Sequence, residues 1–589
     1  MADEAMNPDL ARLRRYFDEA RDLTEQARQE SLRDIDYYDG IQWTREEKAA
    51  LAKRGQPDIV INRTRAAVNG ILGVVERGRS DPRAYPRTPK DEDSADLATD
   101  VLRYIGDFNR LHHLKMQCFR DMLVPGTMAA IVEVDGESQV TIEQIRWEEF
   151  FADPRSRRTD FKDARYMGVA KWMYEDDVLA LYPDAKEGLT ATFADGAVDV
   201  SYQDRPSNTT WIDRRQRRLL MVEVYYREGG WKRCVYHCGQ VLEAGDSPYL
   251  DAKGQPTCPI EACSAYVDRE NNRYGAVRDM RGPQDEINKR RSKLLHRLST
   301  SQIQAVDPSA VEVDANTARA EAARPDGVIP FGWQKVPDMG AAAGEAQLLQ
   351  EAKGELERLG PNPAVVGREA NGASGRALQA RTQAGMIELA LLFGALEDWE
   401  LRIWRQCWAR ARQFWREPMW IRVTDDEDAP KYVQINEPVT DPMFGQVLGY
   451  RNGIAELDVD IVLDSQPDTA NIQQEQFADL VQLAGNPAYA QQVPFEVLLE
   501  LSAVPHKRSL IEKIKGHRDQ QAQQQMQMAQ QQAQIAQAGA VAEIEKTQSE
   551  TALNSAKAQT ELFNAQVKAD QAYIGALKPA AGDTGAEAA

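Results

Sequence analysis

The sequence contains few cysteines and histidines, and it lacks a long apolar segment. Six cysteines in 589 residues are too few for a disulfide framework, and a reducing compartment would keep them as free thiols. No stretch approaches the roughly 18 to 20 apolar residues that a membrane span requires. The N-terminus also lacks the apolar core of a secretion signal. These absences argue against a membrane or secreted protein, and we expect the chain to stay in the cytosol that makes it.

Enzyme motifs are missing as well. The six histidines include no HExxH pair, and no GxSxG segment occurs, so no nucleophile or general base can be nominated. The segment GREANGAS, from Gly367 to Ser374, has the spacing of a phosphate-binding loop, but Ala373 occupies the position where that loop needs a lysine. A flexible loop in which Ser374 caps the following helix is favoured. We predict a protein that is not an enzyme and binds no cofactor.

Two groups of potential metal ligands have spacings that disfavour a metal site. One group comprises Cys234, Cys238, Cys258, Cys263 and His237. Structural zinc sites favour tighter pairs, and the first two cysteines, four apart in a predicted strand, would share one face as core residues. The other group is the acidic run 425–428, whose consecutive carboxylates rarely converge on one ion. A solvated turn is favoured for that run, and no metal is predicted.

The charge balance limits how the chain can meet nucleic acid. The net charge of -20 means that the average surface repels DNA, so DNA contacts must be local or weak. Three basic runs stand out: 155–158, 214–218 and 289–293. Such a run is more often a solvated face or a salt-bridge partner than a phosphate site. The third is the most interesting, because it lies on a predicted helix.

Periodicity predicts several layers of helix and strand. A chain of this length suggests about three or four domains or layers. Apolar spacing of three and four predicts helices over residues 4–54, from about Ile61 to Gly78, and from Ser94 to Leu114, with a short extended run at Ile59–Ile61. Between Met128 and Val267, alternating segments such as LMVEVYY and KRCVYH predict strands. Strands are also predicted at WIRVT, YVQIN and LDVDIVLD. The class is therefore α+β, mainly helical.

The central part predicts two helices around a small insert, followed by a long helix. The first helix should begin near Pro283 with an apolar stripe of Ile287, Leu294, Leu295 and Leu298. The insert should contain β-like runs AVEV and DGVIPFGWQKV. A helix from Arg376 to Trp415 should turn an apolar face inward, consisting of Leu378, Ile387, Leu391, Leu392, Leu396, Trp399, Ile403 and Trp408. Five of the eleven tryptophans fall between Trp399 and Trp420, which predicts a packing hub.

The C-terminal tail is rich in Gln and Ala. Between residues 516 and 577 a thin heptad seam comprises Leu553, Ala556, Thr560, Phe563, Val567 and Ile574. So thin a seam needs identical neighbours around an axis to form a helical barrel; the alternative is a frayed or disordered tail. Residues 578–589 are expected to be disordered.

Three segments occur in an order that resembles a known family. They are INRTRAAVNGILGVVERGRSDPRAYP, YGAVRDMRGPQDEINKRRSKLL and ASGRALQARTQAGMIELALLFGALEDWE. They resemble blocks of the portal proteins of short-tailed bacteriophages, over about residues 10 to 515, and the Gln-rich helix resembles the C-terminal barrel that some members carry. No block is a catalytic signature, so the resemblance rests on their order.

The resemblance implies a division of the chain into the parts of a portal subunit. The implied ranges are 1–280 and 418–467 for the wing, 281–300 and 341–359 for the two stem helices, 301–340 for the clip, 360–375 for the tunnel loop, 376–417 for the long helix, 468–515 for the crown, and 516–577 for the barrel. The family forms rings, typically of twelve, at one capsid vertex of the virion. Double-stranded DNA passes through the ring during packaging and ejection.

The resemblance also implies partners and contact residues. The expected partners are the terminase large subunit, tail adaptors, scaffolding and capsid proteins, and DNA without sequence specificity, with assembly in the host cytoplasm and no membrane. Candidate DNA-channel residues are Arg368, Asn371, Ser374, Arg376, Lys289, Arg290 and Arg291. Candidate clip-interface residues are Asp307, Glu312, Asp314, Phe331 and Trp333. The stem's basic face could instead pair with acidic neighbours in the ring.

Two other functions remain open from sequence. A cytosolic scaffold or adaptor would oligomerise through the C-terminal Gln/Ala helix and fall to monomers when cut at about Lys515. A packaging nuclease or ATPase would need the lysine that Ala373 replaces, or a converging set of carboxylates.

Overall fold

A computed structural model describes most of the first 465 residues and a helical part near the C-terminus. The described residues are 9–78, 80–86, 92–186, 189, 211–299, 302–306, 309, 311, 313–324, 326–336, 339–361, 375–424, 430–440, 447–455, 457, 459–465, 544, 546–569 and 571. The chain divides into two compact units, Met1–Thr469 and Ala470–Ala589. Helix exceeds strand, so the predicted α+β, mainly helical class is confirmed.

Three helices begin the first unit, and side-chain caps determine their ends. α1, α2 and α3 span Leu10–Asp39, Arg45–Lys53 and Arg63–Arg77. The Asp9 carboxylate accepts a hydrogen bond from the Arg12 amide at the start of α1, which ends at Gly40 in the left-handed region with φ 92°. α2 starts with a capping box between Thr44 and Glu47. The helices predicted before Gly78 are therefore confirmed.

The next helical segment is broken in two. α4 and α5 span Glu92–Phe108 and Leu111–Leu123. The single helix predicted from Ser94 to Leu114 is wrong, because Arg110 adopts the left-handed conformation with φ 49°. The side chain of Asn109 ties the break to a strand: its amide donates to the Val140 carbonyl at 2.8 Å, and its oxygen accepts from the Ile142 amide at 2.8 Å. Tertiary hydrogen bonds thus end α4.

Antiparallel strands follow, as their alternating pattern predicts. They are β2 (Thr127–Val134), β3 (Val140–Ile145), β4 (Phe150–Ala152), β5 (Tyr166–Tyr174), β6 (Ile212–Asp213), β7 (Arg218–Arg227), β8 (Trp231–His237), β9 (Gln240–Asp246), β10 (Ile260–Ser264), β11 (Tyr266–Val267) and β12 (Arg273–Tyr274). One sheet has the order β10-β2-β3, and a larger one has the order β4-β5-β7-β8-β9, with β6 beside β7. A short helix, α6 (Glu175–Leu181), follows β5. α1 covers one face of β7 through Leu13 and Phe17.

Two helices then enclose a small insert. α7 spans Val277–Ser299, α8 Ala315–Ala323 and α9 Met339–Leu359; β13 (Ile303–Ala305) pairs with β14 (Trp333–Lys335). The predicted start near Pro283 is wrong, because Pro283 lies inside α7, whose first half is anchored by other contacts. The predicted strand AVEV is also wrong at its described residues, 311 and 313, which lie outside strands. The inward orientation predicted for Leu295 is wrong, since it is 44% exposed.

The long helix α10 spans Gly375–Phe414, 40 residues, as predicted. Four tryptophans at its C-terminal end are buried in the largest apolar cluster: Trp399, Trp404, Trp408 and Trp415. The packing hub is therefore confirmed. The inward orientation predicted for Ile387 and Leu391 is wrong, since they are 71% and 68% exposed. Leu389, Leu392 and Leu396 occupy the buried face instead.

The first unit ends in three strand pairs. Its last strands are β15 (Met419–Thr424), β16 (Pro430–Ile435), β17 (Glu437–Thr440), β18 (Val447–Arg451) and β19 (Val459–Ser465). β15, β16 and β19 confirm the strands predicted at WIRVT, YVQIN and LDVDIVLD. β15 pairs with β16, and β17 pairs with β18, a pair that the sequence did not predict. β19 pairs antiparallel with β1 (Ser80–Pro86), from Ser80 opposite Ser465 to Pro86 opposite Val459. The sequence did not predict β1, which contains two prolines.

The second unit is helical where the structure describes it. Residues 546–569 form a helix whose side chains are all exposed, including Leu553 and Phe563 at 58% and 67%. The predicted helix is present over these residues, and its role in a barrel stays a prediction. None of the described helices is long and apolar enough to span a membrane.

Candidate functional site: the helix hairpin and its insert

The helix hairpin consists of α7 and α9 with the strand insert between them. Its helices meet through a small apolar cluster of Ile287, Leu294, Leu349, Ala352 and Leu356, each at most 8% exposed. Burying side chains of this size stabilises a fold by about 1.5–3 kcal/mol for each large one. The hairpin therefore has a core of its own, distinct from the cluster around the tryptophans.

Ion pairs cover the hairpin's basic face. Glu345 of α9 contacts Arg290 at 3.3 Å and also Lys293, both on α7. The pKa of Glu345 is lowered, mainly because its carboxylate accepts a hydrogen bond from Lys293. Lys289 lies 3.5 Å from Glu47 and 3.6 Å from Asp285. Much of the positive charge on α7 is thus balanced within the chain.

A buried polar row on α7 holds the segment before α3. Asn288 and Ser292 are four residues apart on one helix face, and each is 1% exposed. The Ile61 amide donates to the Asn288 side chain at 3.0 Å, and the Ile59 amide donates to the Ser292 hydroxyl at 3.3 Å. The extended run predicted at Ile59–Ile61 therefore bonds to side chains of a helix and has no strand partner among the described residues.

Gln284 continues this row and caps a second helix. Its side-chain oxygen accepts hydrogen bonds from the amides of Arg63 and Thr64, at 3.0 and 3.3 Å, in the first turn of α3. Asn62 accepts from the Arg65 amide at 2.9 Å. These two side chains accept from three amides in the first turn of α3, where a helix leaves its amides without partners inside the helix. Sequence reasoning missed this role, although polar residues at 284, 288 and 292 show a four-residue repeat.

A buried carboxylate anchors α1 to the first half of α7. Asp34 is 0% exposed and contacts Arg278 at 2.8 Å and Arg281 at 3.1 Å. Arg281 also contacts Glu30 at 2.6 Å. Burial raises the pKa of Asp34, and the two arginines oppose that effect. These pairs help to explain why α7 begins well before Pro283.

The insert carries the predicted clip-interface residues. Phe331 is 78% exposed, and Val328, three residues before it in the sequence, is 80% exposed. Trp333 is partly buried and donates from Nε1 to the Val313 carbonyl at 3.1 Å. Asp314 caps α8 through the amides of its first turn. The other two candidates, Asp307 and Glu312, lie outside the described residues. The structure thus leaves Phe331 as the exposed aromatic side chain of this set.

Comparison with known proteins identifies the family to which the whole chain belongs. The sequence matches the model of the phage P22-like portal proteins over residues 14–571. The chain belongs to this family. It is also similar to the portal protein of Helicobacter pylori bacteriophage KHP30, with 24% identity over 459 residues, which cover 75% of this chain and 70% of that protein.

Membership in the portal family decides the class of function. A portal protein is a structural component of the phage particle that acts in DNA packaging and in joining head to tail, and it is not an enzyme. The match also implies an oligomeric ring. Nothing in the comparisons supports the cytosolic scaffold alternative.

The structure of this portal subunit describes four of the seven predicted DNA-channel residues. Three candidates, Arg368, Asn371 and Ser374, lie outside the described residues. Arg376 lies in the first turn of α10. Lys289, Arg290 and Arg291 lie together on α7, but the first two form the ion pairs given above. Arg291 is exposed and forms no ion pair with another described residue.

The other basic runs of the portal chain are engaged in internal contacts. The pairs are Arg155 with Glu19, Arg158 with Asp160 at 2.7 Å, Arg217 with Glu175 at 2.5 Å, and Arg218 with Asp213 at 2.9 Å. Arg155 thus links a loop to α1, Arg158 pairs within its own loop, Arg217 links a turn to α6, and Arg218 of β7 pairs with β6. The salt-bridge interpretation of these two runs therefore agrees with the geometry.

The cysteines occupy separate positions in the portal fold. All six are free thiols, and Cys234, Cys258 and Cys263 are buried. The prediction that Cys238 shares a strand face with Cys234 is wrong, because β8 ends at His237 and Cys238 adopts φ 49° in the following turn. His237 bonds through Nδ1 to the Leu220 carbonyl at 3.0 Å. Among the described residues, no three His, Cys, Asp or Glu side chains come together as metal ligands.

Proposed function

We propose that this portal chain assembles into a ring of twelve at one capsid vertex and that double-stranded DNA passes along the ring axis. The observation that carries the proposal is the hairpin of α7 and α9, with a paired strand insert at one end and a 40-residue helix after it. The proposed parts are the wing (1–280 and 418–467), stem (281–300 and 341–359), clip (301–340), tunnel loop (360–375), long helix (376–417), crown (468–515) and barrel (516–577).

DNA is proposed to slide through the channel with weak contacts. A subunit with a net charge of -20 repels phosphates on average, so a few cations would give salt-sensitive attraction without tight binding. Arg368 and Arg376, at the tunnel loop and the start of the long helix, are the favoured contacts, with Asn371 and Ser374 beside them. Lys289 and Arg290 are weaker candidates, because carboxylates already neutralise them.

The insert is proposed to contact the packaging motor first and the tail later. Exposed aromatic residues often anchor protein interfaces, and Phe331 meets that description; Val328 adds a second exposed apolar side chain to the insert. The proposed partners at the clip are the terminase large subunit and tail adaptor proteins, with Asp307, Glu312, Asp314 and Trp333 contributing around Phe331. Scaffolding and capsid proteins would surround the wing during assembly in the host cytoplasm.

Mass photometry with negative-stain microscopy tests the ring directly. Twelve chains of 66.1 kDa would weigh about 793 kDa. We expect particles of that mass with an axial hole. A protein that stays monomeric or dimeric at every concentration and salt tested, also with the scaffolding protein present, would contradict the proposal.

Truncation after Lys515 tests the proposed barrel. If stem and wing make the ring, the shortened chain still forms rings of correspondingly lower mass. Monomers after truncation would show that the Gln/Ala helix holds the assembly together, and the barrel would then be the main oligomerisation element.

A further inference from the structure

A cavity of about 70 Å³ lies in the first unit between α1, the strand β4 and the turn from β11 to β12. That volume holds several water-sized groups. The charged residues of its wall are two arginines, Arg28 and Arg273, and one aspartate, Asp153, which leaves one positive charge in excess. Its apolar wall includes Ala27 and Phe161. The cavity therefore suits a small ligand that carries a negative charge next to an apolar group.

The two arginines of the cavity form no ion pair with another described residue. The Arg28 guanidinium lies over the Trp147 ring, 5.6 Å from its centroid, and the Arg273 guanidinium lies over the Phe161 ring at 3.7 Å. Burial is the main reason that the pKa of each arginine is lowered to about 10, and the carboxylates nearby only partly oppose it. Both arginines therefore stay charged at neutral pH in a site that does not neutralise them.

The aspartate of the cavity is engaged by the backbone of its own turn. Asp153 is 6% exposed, and its two oxygens accept from the amides of Arg155 and Arg165 at 2.9 and 3.3 Å. Its carboxylate thus holds two segments of the chain together. The positive charge of the two arginines remains for a ligand.

The strand β4 turns part of its backbone towards the cavity. β4 is an edge of the larger sheet and pairs with β5 alone among the described strands. The Ala170 amide donates to the Glu149 carbonyl, and the Asp153 amide donates to the Tyr166 carbonyl, so Glu149 and Asp153 bond to β5. In an antiparallel ladder, alternate residues bond to opposite sides. The amide and the carbonyl of Ala152 therefore point away from β5, and Ala152 lines the cavity.

This open edge of β4 is one residue long. On one side of Ala152, the Phe150 carbonyl also points away from β5, but it accepts from Arg28 Nη2 at 2.6 Å. On the other side, Pro154 has no amide hydrogen. Arg28 donates to three acceptors of the fold, and since a guanidinium has five N–H groups, two remain for a ligand. A chain that pairs with Ala152 cannot continue along β4 past Arg28.

We infer that the cavity binds the C-terminal residue of a partner protein chain. Such a residue, antiparallel to β4, donates its amide to the Ala152 carbonyl and accepts from the Ala152 amide with a carboxylate oxygen, as two opposite residues of a ladder do. An antiparallel chain runs towards Phe150, so its carboxylate ends beside Arg28. The last side chain is small and apolar, because it faces Ala27 and Phe161. The site lies within one subunit, so the inference does not depend on the ring proposed above.

Two other ligands fit this cavity less well. A phosphate group of DNA would be attracted to the arginines, but it has no N–H group for the Ala152 carbonyl, and it would bring its charge close to Asp153. An acidic side chain within a partner chain supplies a carboxylate, but its main chain continues in both directions, which Arg28 prevents along the edge. A chain terminus satisfies the Ala152 backbone and Arg28 together.

Saturation-transfer NMR with short peptides tests the site in the full-length protein. The probes are acetyl-Ala-Ala with a free carboxylate, the same peptide as its amide, and acetyl-glutamate amide, whose carboxylate is on the side chain; inorganic phosphate is added as a competitor. We expect the free acid to bind with a Kd of about 1 mM, as its size allows. The amide should bind about tenfold more weakly or worse, because it loses the charge-assisted hydrogen bonds.

Two variants each remove one group that holds the carboxylate. Arg28→Gln should weaken binding of the free acid by about tenfold. Ala152→Pro removes the outward amide and leaves the ladder to β5 in place, and it should weaken binding by about fivefold or more. Arg21→Gln is the matched control on α1. Arg21 stacks on Phe17 and does not line the cavity, so this change should leave the affinity unaltered.

The outcomes decide between a terminus site, a general anion site and no site. Tighter binding of the free acid than of the amide, weakened by both variants and not by the control, supports the inference. Equal binding of acid and amide overturns it, and so does the absence of saturation transfer from the acid at about 10 mM. If acetyl-glutamate amide or phosphate binds as tightly as the free acid, the cavity is a general anion site and the inference is wrong. The comparison of acid and amide uses the unaltered protein, so it decides even if a variant fails to fold.

Discussion

Removing the cation from one buried ion pair should destabilise three segments of the first unit together: α5, β1 and α10. Lys115 of α5 lies 3.2 Å from the Glu400 carboxylate of α10, and the two side chains are only 4% and 5% exposed. The Ser80 hydroxyl at the start of β1 lies 2.8 Å from each carboxylate oxygen and accepts from Lys115 at 3.0 Å. In Lys115→Met, Glu400 would lose this cation and keep the hydrogen bond from the serine hydroxyl.

The expected cost follows from the burial of this pair. Breaking a buried ion pair by removing one partner costs about 3–5 kcal/mol, because the remaining charge has lost its compensation. Replacing both partners costs much less, so Lys115→Met/Glu400→Met should be more stable than Lys115→Met alone. Hydrogen exchange suits this measurement, since a chain with two units need not unfold in one step. Amides of α5 and β1 should lose protection by about 100-fold or more in the single variant.

The double variant decides between a charge effect and a packing effect. A packing effect predicts that the two substitutions add, so the double variant would be the least stable of the set. That outcome, or a loss of protection below about fivefold in Lys115→Met, would refute the reasoning from charge burial. Helix 546–569, in the other unit, serves as an internal control whose exchange should not change.

Three shorter predictions concern other buried groups. Gln284→Ala should cost about 1–3 kcal/mol and loosen the start of α3, because the buried Thr64 amide loses its acceptor; hydrogen exchange at the Thr64 amide measures this loss. Burial, with the nearby Glu223, raises the pKa of Glu133 from 4.5 to about 7. The folded state therefore favours the protonated Glu133 carboxyl, and the stability that this carboxyl contributes is present below about pH 4.5 and is lost as the pH rises through about 7. Protection of β2 should therefore fall from pH 5 to pH 8 relative to Glu133→Gln, and equal pH profiles would contradict this. Gly106→Ala should destabilise α4 by about 1–3 kcal/mol despite the better helix propensity of alanine, because the new Cβ would lie 2.6 Å from Trp404; an unchanged thermal midpoint would contradict it.

Local patterns predicted most of the helices and strands in this chain. The long helix and the strands of the larger sheet follow from apolar residues at helical or alternate spacing, and the tryptophan hub follows from the crowding of Trp399 to Trp415. Predictions failed where distant contacts decide the outcome. Arg110 interrupts a helix that the spacing alone would continue, because Asn109 bonds to β3. Ile387 and Leu391 are apolar yet exposed. Apolar periodicity predicts which helix face is apolar, but it does not predict whether another element packs against that face.

The site was less predictable than the fold. The basic run 289–293 is visible in the sequence, but its carboxylate partners come from α2, from α7 itself and from α9, so the balance of charge is a property of the assembled hairpin. The polar row at Gln284, Asn288 and Ser292 has a clear repeat, yet its partners are backbone amides of an irregular segment. The sequence shows which polar side chains repeat on one helix face, but it does not show which backbone amides of a distant segment will need them as hydrogen-bond acceptors. The strand β1 was hidden for a similar reason, since its prolines argue against a strand until β19 is known to pair with it.

The pairing of β1 with β19 also sets an order of events on the ribosome. The partner of β1 emerges about 380 residues later, which takes about 20 to 75 seconds at typical rates of synthesis. Until then the Ser80–Pro86 edge has no partner strand, and the Lys115–Glu400 pair lacks its carboxylate for most of that time. Prolines at positions 82 and 86 remove two amide donors from this waiting edge, which makes it a poorer template for pairing with another nascent chain. A feature that obscured the strand in the sequence thus protects the chain while it is being made.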